Sequence, residues 1–141
     1  MRYLALDVGD ERIGVAISDT RGYLSRPLEV IARRAGASSF LRLAEIVATQ
    51  GVEQIVVGLP LLADGSEGKQ VQSCRAYVQG LQKYVTIPIV WYDERGTTRR
   101  AVEILAENSA SRRRRRQASD EVAAAVILQH FLDENSGGQG K

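Results

Sequence analysis

The segment LDVGDERIGVAISD, Leu6–Asp19, carries the pattern on which the predicted fold rests. The apolar run YLALDV at residues 3–8 predicts a β-strand, GDER predicts a tight turn, and IGVAIS predicts a second strand that pairs with the first as a hairpin. The next apolar run, Tyr23 to Ile31, contains Pro27, which lacks an amide donor and is therefore confined to sheet edges or bulges. We expect three antiparallel strands at the start of the chain.

The spacing of apolar residues changes to a helical period after Ser38. Ser38 or Ser39 can cap the start of this predicted helix, because a serine hydroxyl accepts a hydrogen bond from a free amide of the first turn. Gly51 stands where the left-handed residue that ends a helix belongs. A helix between Ser38 and Gly51 is therefore expected.

An alternation of strands and helices continues beyond this helix. The segment QIVVGL, Gln54–Leu59, is apolar on both faces, as a central parallel strand requires, and a helical stripe runs from Val71 to Leu81. A fifth strand is predicted from Ile89 to Tyr92. The sheet is then five-stranded and mixed, with three antiparallel strands followed by two parallel ones, and the flanking helices make the fold class α/β.

Two more helices are expected towards the end of the chain. One should start near Thr98, and the last should run from Ser119 or Asp120 to about Leu132. A loop over residues 108–118 is expected to join them.

The length of 141 residues suits one domain, and the composition, 44% hydrophobic and 26% charged, is typical of a globular chain. We assign residues 1–133 to that domain and expect 134–141, ENSGGQGK, to form a disordered tail. Cys74 and His130 are the only residues of their types, so a disulfide within the chain and a Cys/His zinc site are excluded. No apolar run is long enough for a membrane helix, so the cytoplasm is the expected location.

The basic residues are unevenly distributed, although the net charge is only +2. Of the 19 basic residues 16 are arginines, and many crowd into residues 95–116, the Arg-rich segment, where Glu103 and Glu107 are the only acids. Arginine presents a rigid fork of donors that suits phosphate, which favours a nucleic-acid partner over the alternative of a solvated loop. The predicted nucleic-acid-binding residues are Arg12, Arg95, Arg99, Arg100, Arg112, Arg113, Arg114, Arg115 and Arg116.

The first candidate for chemistry is Asp7, near the end of the first strand. An aspartate is unusual there, because it has low β-propensity and is costly to bury without a partner. Gly9 follows, and it lets the backbone turn sharply or approach a ligand closely. Asp7 can therefore bind a metal ion, or it can cap the turn by accepting bonds from nearby amides.

Two further acidic positions lie on other elements. Asp93 and Glu94 follow the fifth strand, and the carboxyl ends of neighbouring strands meet at one edge of such sheets. Their alternative role is a salt bridge to arginines at the start of the following loop. Asp120 is in helical register with Ala124 on the predicted apolar face, which directs it inward. The alternative for Asp120 is the N-cap of the last helix.

Carboxylates from three separate elements, with no Cys/His cluster, would form a hard-cation site for Mg²⁺ or Mn²⁺. Such a site suits the hydrolysis of phosphodiester bonds with two metal ions, which needs no nucleophilic side chain. The arginines would hold the strand being cut. The predicted catalytic residues are Asp7, Asp93, Glu94 and Asp120, and the predicted metal ligands are Asp7, Glu94 and Asp120, with the choice between Asp93 and Glu94 left open.

Four blocks of the chain resemble the YqgF/RuvX family. They are LDVGDERIGVAISD (Leu6–Asp19), VVGLPLLADGSEG (Val56–Gly68), YDERGTT (Tyr92–Thr98) and SDEVAAAVILQHFL (Ser119–Leu132), in the family's order. The resemblance implies a ribonuclease H-like fold related to the RuvC Holliday-junction resolvases. It also implies that the acidic site consists of Asp7, Asp93, Glu94 and Asp120.

The resemblance implies, as a function, a nuclease that matures the 5′ end of pre-16S ribosomal RNA in bacteria, with ribosomal precursor particles as partners. Two alternatives stay open: a Holliday-junction resolvase acting on branched DNA, and a non-catalytic protein that binds RNA or the ribosome through its arginines. Gly96 and the dense arginine run depart from the family pattern and leave the handling of the substrate open. The chain could be a monomer or a homodimer, and a dimer is expected only for symmetric cutting of a junction.

Overall fold

The architecture is a five-stranded sheet with helices on both faces. The computed structural model describes residues 1–93 and 112–139, with side chains over 1–93, at Asp120 and over 122–135. The strands are β1 (Tyr3–Val8), β2 (Arg12–Ser18), β3 (Ser25–Ala32), β4 (Gln54–Leu59) and β5 (Ile89–Asp93). The helices are α1 (Ser38–Gln50), α2 (Lys69–Leu81) and α3 (Arg112–Gln139).

The order of the strands in the sheet is β3-β2-β1-β4-β5. The strands β1, β2 and β3 pair antiparallel, whereas β4 pairs parallel with β1 and β5 parallel with β4. The predicted mixed sheet is thus confirmed. The strand β3 is an edge strand, and its register with β2 shifts between Val15 and Ala16, next to Pro27. The expectation for the proline-containing strand is confirmed on both counts.

The two faces of the sheet differ in the size of their side chains. On one face, large residues of the strands pack with α1 and α2, and Leu6 and Ile17 are fully buried there. On the other face, the small residues Ala5 and Ala16 pack with Ala124 and other residues of α3. Alternate residues of a strand point to opposite faces, which explains how β1 and β2 supply both cores.

The end of α1 agrees with its prediction, but its start does not. Gly51 has the left-handed φ of +66°, and its amide donates to the Val47 carbonyl. The N-cap is Ala37, and no side chain caps the helix, so the predicted serine cap is wrong. The physical reason is that the Ser39 hydroxyl is buried and accepts a hydrogen bond of 2.8 Å from the Tyr77 hydroxyl, which joins α1 to α2.

The helix α3 extends beyond its predicted limits in both directions. It begins at Arg112, inside the predicted loop, and it continues to Gln139, through most of the predicted disordered tail. Two side-chain bonds lie in the first part of the carboxyl-terminal extension: the Asn135 amide donates to the Phe131 carbonyl, and Glu134 accepts a bond from Tyr92.

The helix predicted to start near Thr98 lies outside the described residues. Among the helices that the structure describes, none has a stretch that is long and apolar enough to cross a membrane.

The bond between α1 and α2 gives a test of the packing. Tyr77→Phe removes the hydroxyl that donates to Ser39, and Ser39→Ala removes the oxygen that accepts from the Tyr77 hydroxyl. Each change should lower the free energy of unfolding by about 1–3 kcal/mol, the cost of a buried polar group that loses its partner. The double variant leaves neither group, so its loss should be smaller than the sum of the two. Urea denaturation of the four proteins measures this difference, and additive losses would contradict it.

Candidate active site

Several strands have an end along the same side of the sheet, which we call its carboxyl edge. The strands β1, β4 and β5 end there, β2 begins there, and β3 ends there, as their pairing directions require. Ligand sites of open α/β sheets form at such a carboxyl edge. Asp7 lies at this edge, half-buried and directly opposite Gly14 of β2.

Gly14 brings the last helix onto the same site. A Cβ atom on Gly14 would overlap the carbonyl of Asp120, so the backbone of α3 lies directly against the backbone of β2. Residues that are directly opposite in an antiparallel pair face the same side of the sheet. Asp7 and Asp120 therefore lie on the same face, at the same edge, although they are far apart in sequence.

The carboxylate of Asp120 is held by an arginine of β2. The Nε atom of Arg12 donates to Oδ2 of Asp120 at 2.6 Å, and the two side chains are 36% and 28% exposed. Asp120 is not an N-cap, because α3 begins at Arg112, and this alternative is wrong. Arg12, a predicted nucleic-acid-binding residue, thus orients a predicted metal ligand through a charge-assisted hydrogen bond.

The end of β5 is attached to α3 through Tyr92. Its hydroxyl donates to Glu134 at 2.8 Å, and its ring packs edge-on against Phe131. Burial, together with the bond to Glu134, raises the pKa of Tyr92 to about 12.

Asp93 follows Tyr92 and points to the other face. Trp91 packs with the core under α2, and alternation along the strand puts Asp93 on the Trp91 side of the sheet. Asp93 is exposed, whereas Asp7 and Tyr92 belong to the face that α3 covers. The structure thus brings Asp7 and Asp120 to one face and leaves Asp93 on the opposite one.

Several predicted residues lie outside the described part of the chain. These are Glu94, Arg95, Arg99 and Arg100, and also the side chains of Arg112, Arg113, Arg114, Arg115 and Arg116, whose backbone forms the start of α3. Among the described residues, no three acidic, histidine or cysteine side chains are grouped closely enough to hold an ion. Asp7 and Asp120 offer carboxylate oxygens, which fit a hard cation as two ligands of a larger set.

Two residues that shape this edge were not among the predicted site residues. Gly14 carries a signal that is visible in the sequence, because a glycine inside a strand often marks the close approach of another backbone. Arg33 donates to the carbonyl of Gly9 at 2.9 Å, in the turn between Asp7 and Arg12. Nothing in the sequence around Arg33 indicates this contact, because its acceptor is a backbone carbonyl of a different element.

Comparisons with known proteins cover nearly the whole chain. A family model described as "RuvX: Holliday junction resolvase" matches residues 1–134. A protein of Moorella thermoacetica named "Putative pre-16S rRNA nuclease" is 47% identical over 133 residues, which cover 94% of this chain and 95% of the relative. A protein of Desulforamulus reducens with the same name is 40% identical over 96% of this chain and 99% of the relative.

Solved structures resemble the fold at much lower sequence identity. The RuvC protein of Thermus thermophilus in complex with a Holliday junction substrate has a TM-score of 0.61 and 14% identity, with 97% of each chain covered. The fowlpox virus resolvase in complex with Holliday junction DNA has a TM-score of 0.54 and 8% identity, covering 96% of this chain and 99% of the resolvase. These likenesses concern the fold alone and confirm the predicted ribonuclease H-like architecture.

The contact at Gly14 gives a test of how α3 is seated. Gly14→Ala would push α3 away from β2, because the added methyl group overlaps the backbone carbonyl of Asp120. We expect the free energy of unfolding to fall by about 1–3 kcal/mol or more, as for other overpacked sites. Urea denaturation measures the loss.

Gly68→Ala is the matched control for this test. Gly68 has a negative φ, and the atoms nearest to a Cβ atom there belong to the flexible side chain of Leu62, at an ordinary distance of 3.4 Å. Its expected cost is below about 1 kcal/mol, which reflects the poorer N-cap preference of alanine. Equal losses in the two variants would show that the backbone contact at Gly14 does not limit the packing of α3.

Proposed function

Because this chain belongs to the RuvX family, we propose that it is a metal-dependent nuclease that hydrolyses phosphodiester bonds. The observation that carries the proposal is the convergence of Asp7 and Asp120 on one face at the carboxyl edge of the sheet. Carboxylate oxygens are the ligands that hard cations such as Mg²⁺ and Mn²⁺ prefer. A nuclease site gives both of them a chemical role.

The proposed cofactor is Mg²⁺ or Mn²⁺, held by Asp7, Asp120 and Glu94. Glu94 is preferred to Asp93 because Asp93 points to the opposite face of the sheet from Asp7. Two bound ions would supply the activation of the attacking water and the stabilisation of the leaving oxygen. Arg12 keeps the Asp120 carboxylate in place, and the arginines of the Arg-rich segment bind the phosphates of the strand.

The proposed substrate is the 5′ end of pre-16S ribosomal RNA, in the cytoplasm and on ribosomal precursor particles. The names of relatives at 37–47% identity, which cover most of this chain, support the choice of RNA. A single cut at one RNA end needs no two-fold symmetry, so a monomer suffices for this reaction.

A four-way DNA junction is the second candidate substrate. The description of the family model names a Holliday junction resolvase, and this observation favours branched DNA independently of the names of the relatives. Symmetric cutting of a junction would require a homodimer, whose two sites are related by a two-fold axis.

The first test of the proposal is the exchange of one carboxylate for its neutral isostere. Asp7→Asn should lower the rate of Mn²⁺- or Mg²⁺-dependent cleavage by about 100-fold or more, since even outer-sphere partners of metal sites contribute 10- to 100-fold. Binding to the uncut substrate should stay largely intact, because the phosphate contacts come from arginines. Gel-based cleavage and binding assays measure the two effects separately.

Asp10→Asn is the control, because it removes the same charge from an exposed aspartate of the adjacent turn. It should cleave at the rate of the unmodified protein. A protein that binds RNA but never cleaves with either ion would instead support the non-catalytic binding function.

The choice of substrate is tested by a direct competition. We expect the protein to cleave a precursor 16S 5′ end faster than a four-way DNA junction when both are present with the same ion at the same ionic strength. Equal salt is essential because arginine–phosphate contacts weaken steeply as salt rises. Cleavage confined to the junction would overturn the RNA assignment and leave the nuclease assignment standing.

A further inference from the structure

Arg33 lies immediately after β3, at the edge of the sheet that carries Asp7. Its Nη1 atom donates to the Gly9 carbonyl at 2.9 Å and to the Ser73 hydroxyl at 2.9 Å, and its Nη2 atom donates to the Ser73 carbonyl at 3.1 Å. The guanidinium group also lies over the ring of Tyr77, with its carbon 5.0 Å from the ring centroid. One side chain therefore joins the β1–β2 turn to α2.

The β1–β2 turn is held by a hydrogen bond within the turn and by hydrogen bonds from Arg33. The Gly9 amide donates to the Arg12 carbonyl at 2.8 Å, and the Gly9 carbonyl accepts from the Arg33 side chain. The backbone amide of Arg33 donates to the Glu11 carbonyl at 2.8 Å. Asp7 lies just before this turn, and Arg12, which orients Asp120, lies at its end. The position of the turn thus sets the positions of two side chains of the site.

Tyr77, whose ring lies beneath the Arg33 guanidinium group, is part of the core. Tyr77 is buried, and burial raises the pKa of its phenol while the bond to Ser39 and the charge of Arg33 oppose the rise. Its hydroxyl donates to Ser39 of α1. The ring beneath the guanidinium group therefore belongs to the buried core between α1 and α2, and a shift of the turn relative to that core must break contacts of Arg33.

The chemistry of these contacts requires arginine. In the part of the chain that the structure describes, the partners of Arg33 are neutral carbonyls, a hydroxyl and an aromatic ring, and no carboxylate lies within ion-pair distance. A planar guanidinium group can reach Gly9 and Ser73 with separate nitrogens while it stacks on Tyr77, which the compact ammonium of lysine cannot do.

We infer that Arg33 is a positioning residue, which holds the β1–β2 turn so that Asp7 and Arg12 keep their places in the site. The inference rests on the proposed function for its effect on catalysis, but not for its effect on the turn. Arg33 acts through Gly9 and does not contact the substrate. Its loss should slow the chemical step and leave the binding of substrate nearly unchanged.

The first experiment measures the turn itself, without any substrate. Hydrogen exchange of the Gly9 amide is compared in the unmodified protein, Arg33→Met and Arg33→Lys, with Arg34→Lys as the control at the exposed neighbouring arginine. We expect exchange at Gly9 to become at least about tenfold faster in Arg33→Met, less so in Arg33→Lys, and to stay unchanged in Arg34→Lys. If Arg33→Met does not fold, Arg33→Lys, which retains the charge and the aliphatic stem, still decides the outcome.

The second experiment measures cleavage of the precursor RNA with the same variants. We expect kcat to fall about 10- to 100-fold in Arg33→Met with little change in KM, and Arg33→Lys to recover part of the loss, because small displacements of catalytic groups affect the chemical step. A purely structural residue would instead lower the melting temperature in proportion to the loss of activity.

The two experiments separate failure of this inference from failure of the proposed function. Unchanged exchange at Gly9 in both Arg33 variants, or a rise in KM with constant kcat, would overturn the positioning role. A protein without any cleavage activity would overturn the proposed function alone, and the Gly9 exchange rates would then still decide whether Arg33 holds the turn.

Discussion

The backbones of α3 and β2 are in direct contact, and this contact sets the geometry of the site. Gly14 has no Cβ atom, so the carbonyl of Asp120 can lie against the strand. The neighbouring positions on this face, Ala5 and Ala16, are also small and fully buried. A larger side chain at any of these positions would move the helix outward and would take Asp120 away from the face that Asp7 occupies. The small side chains on this face therefore allow both the close packing of α3 on the sheet and the placement of Asp120 on the same face as Asp7.

Two arginine side chains, those of Arg12 and Arg33, lie near this contact. Arg12 lies beside Gly14 and pairs with Asp120, whereas the acceptors of Arg33 among the described residues are neutral. The two arginines thus have different roles at the same edge, one directed to an acidic side chain and the other to the backbone. Arginine is suited to both because its donors are rigidly arranged and its charge is permanent.

The strands were predictable because alternation and turn residues are local signals. The hairpin over Leu6–Asp19, the edge position of the strand with Pro27 and the role of Gly51 all follow from neighbours in sequence. The serine cap failed because Ser39 has a stronger partner from another helix, which no local pattern reveals. The start of α3 was misplaced for a different reason: the arginine run was interpreted as a solvated loop, although arginine also has good helix propensity. Asp7 and Asp120 were both predicted as site residues. Their placement on one face depends on Gly14, which was not predicted as a site residue.

The bond between Arg12 and Asp120 joins residues that are 108 positions apart in the chain. During synthesis the hairpin that carries Arg12 leaves the ribosome well before the segment that packs against it. A growing chain thus holds Asp7 long before it holds the carboxylate that completes the face. The face that carries Asp7 and Asp120 therefore assembles only after the chain from one to the other has been made, so the site is a product of the tertiary fold and of no single local segment.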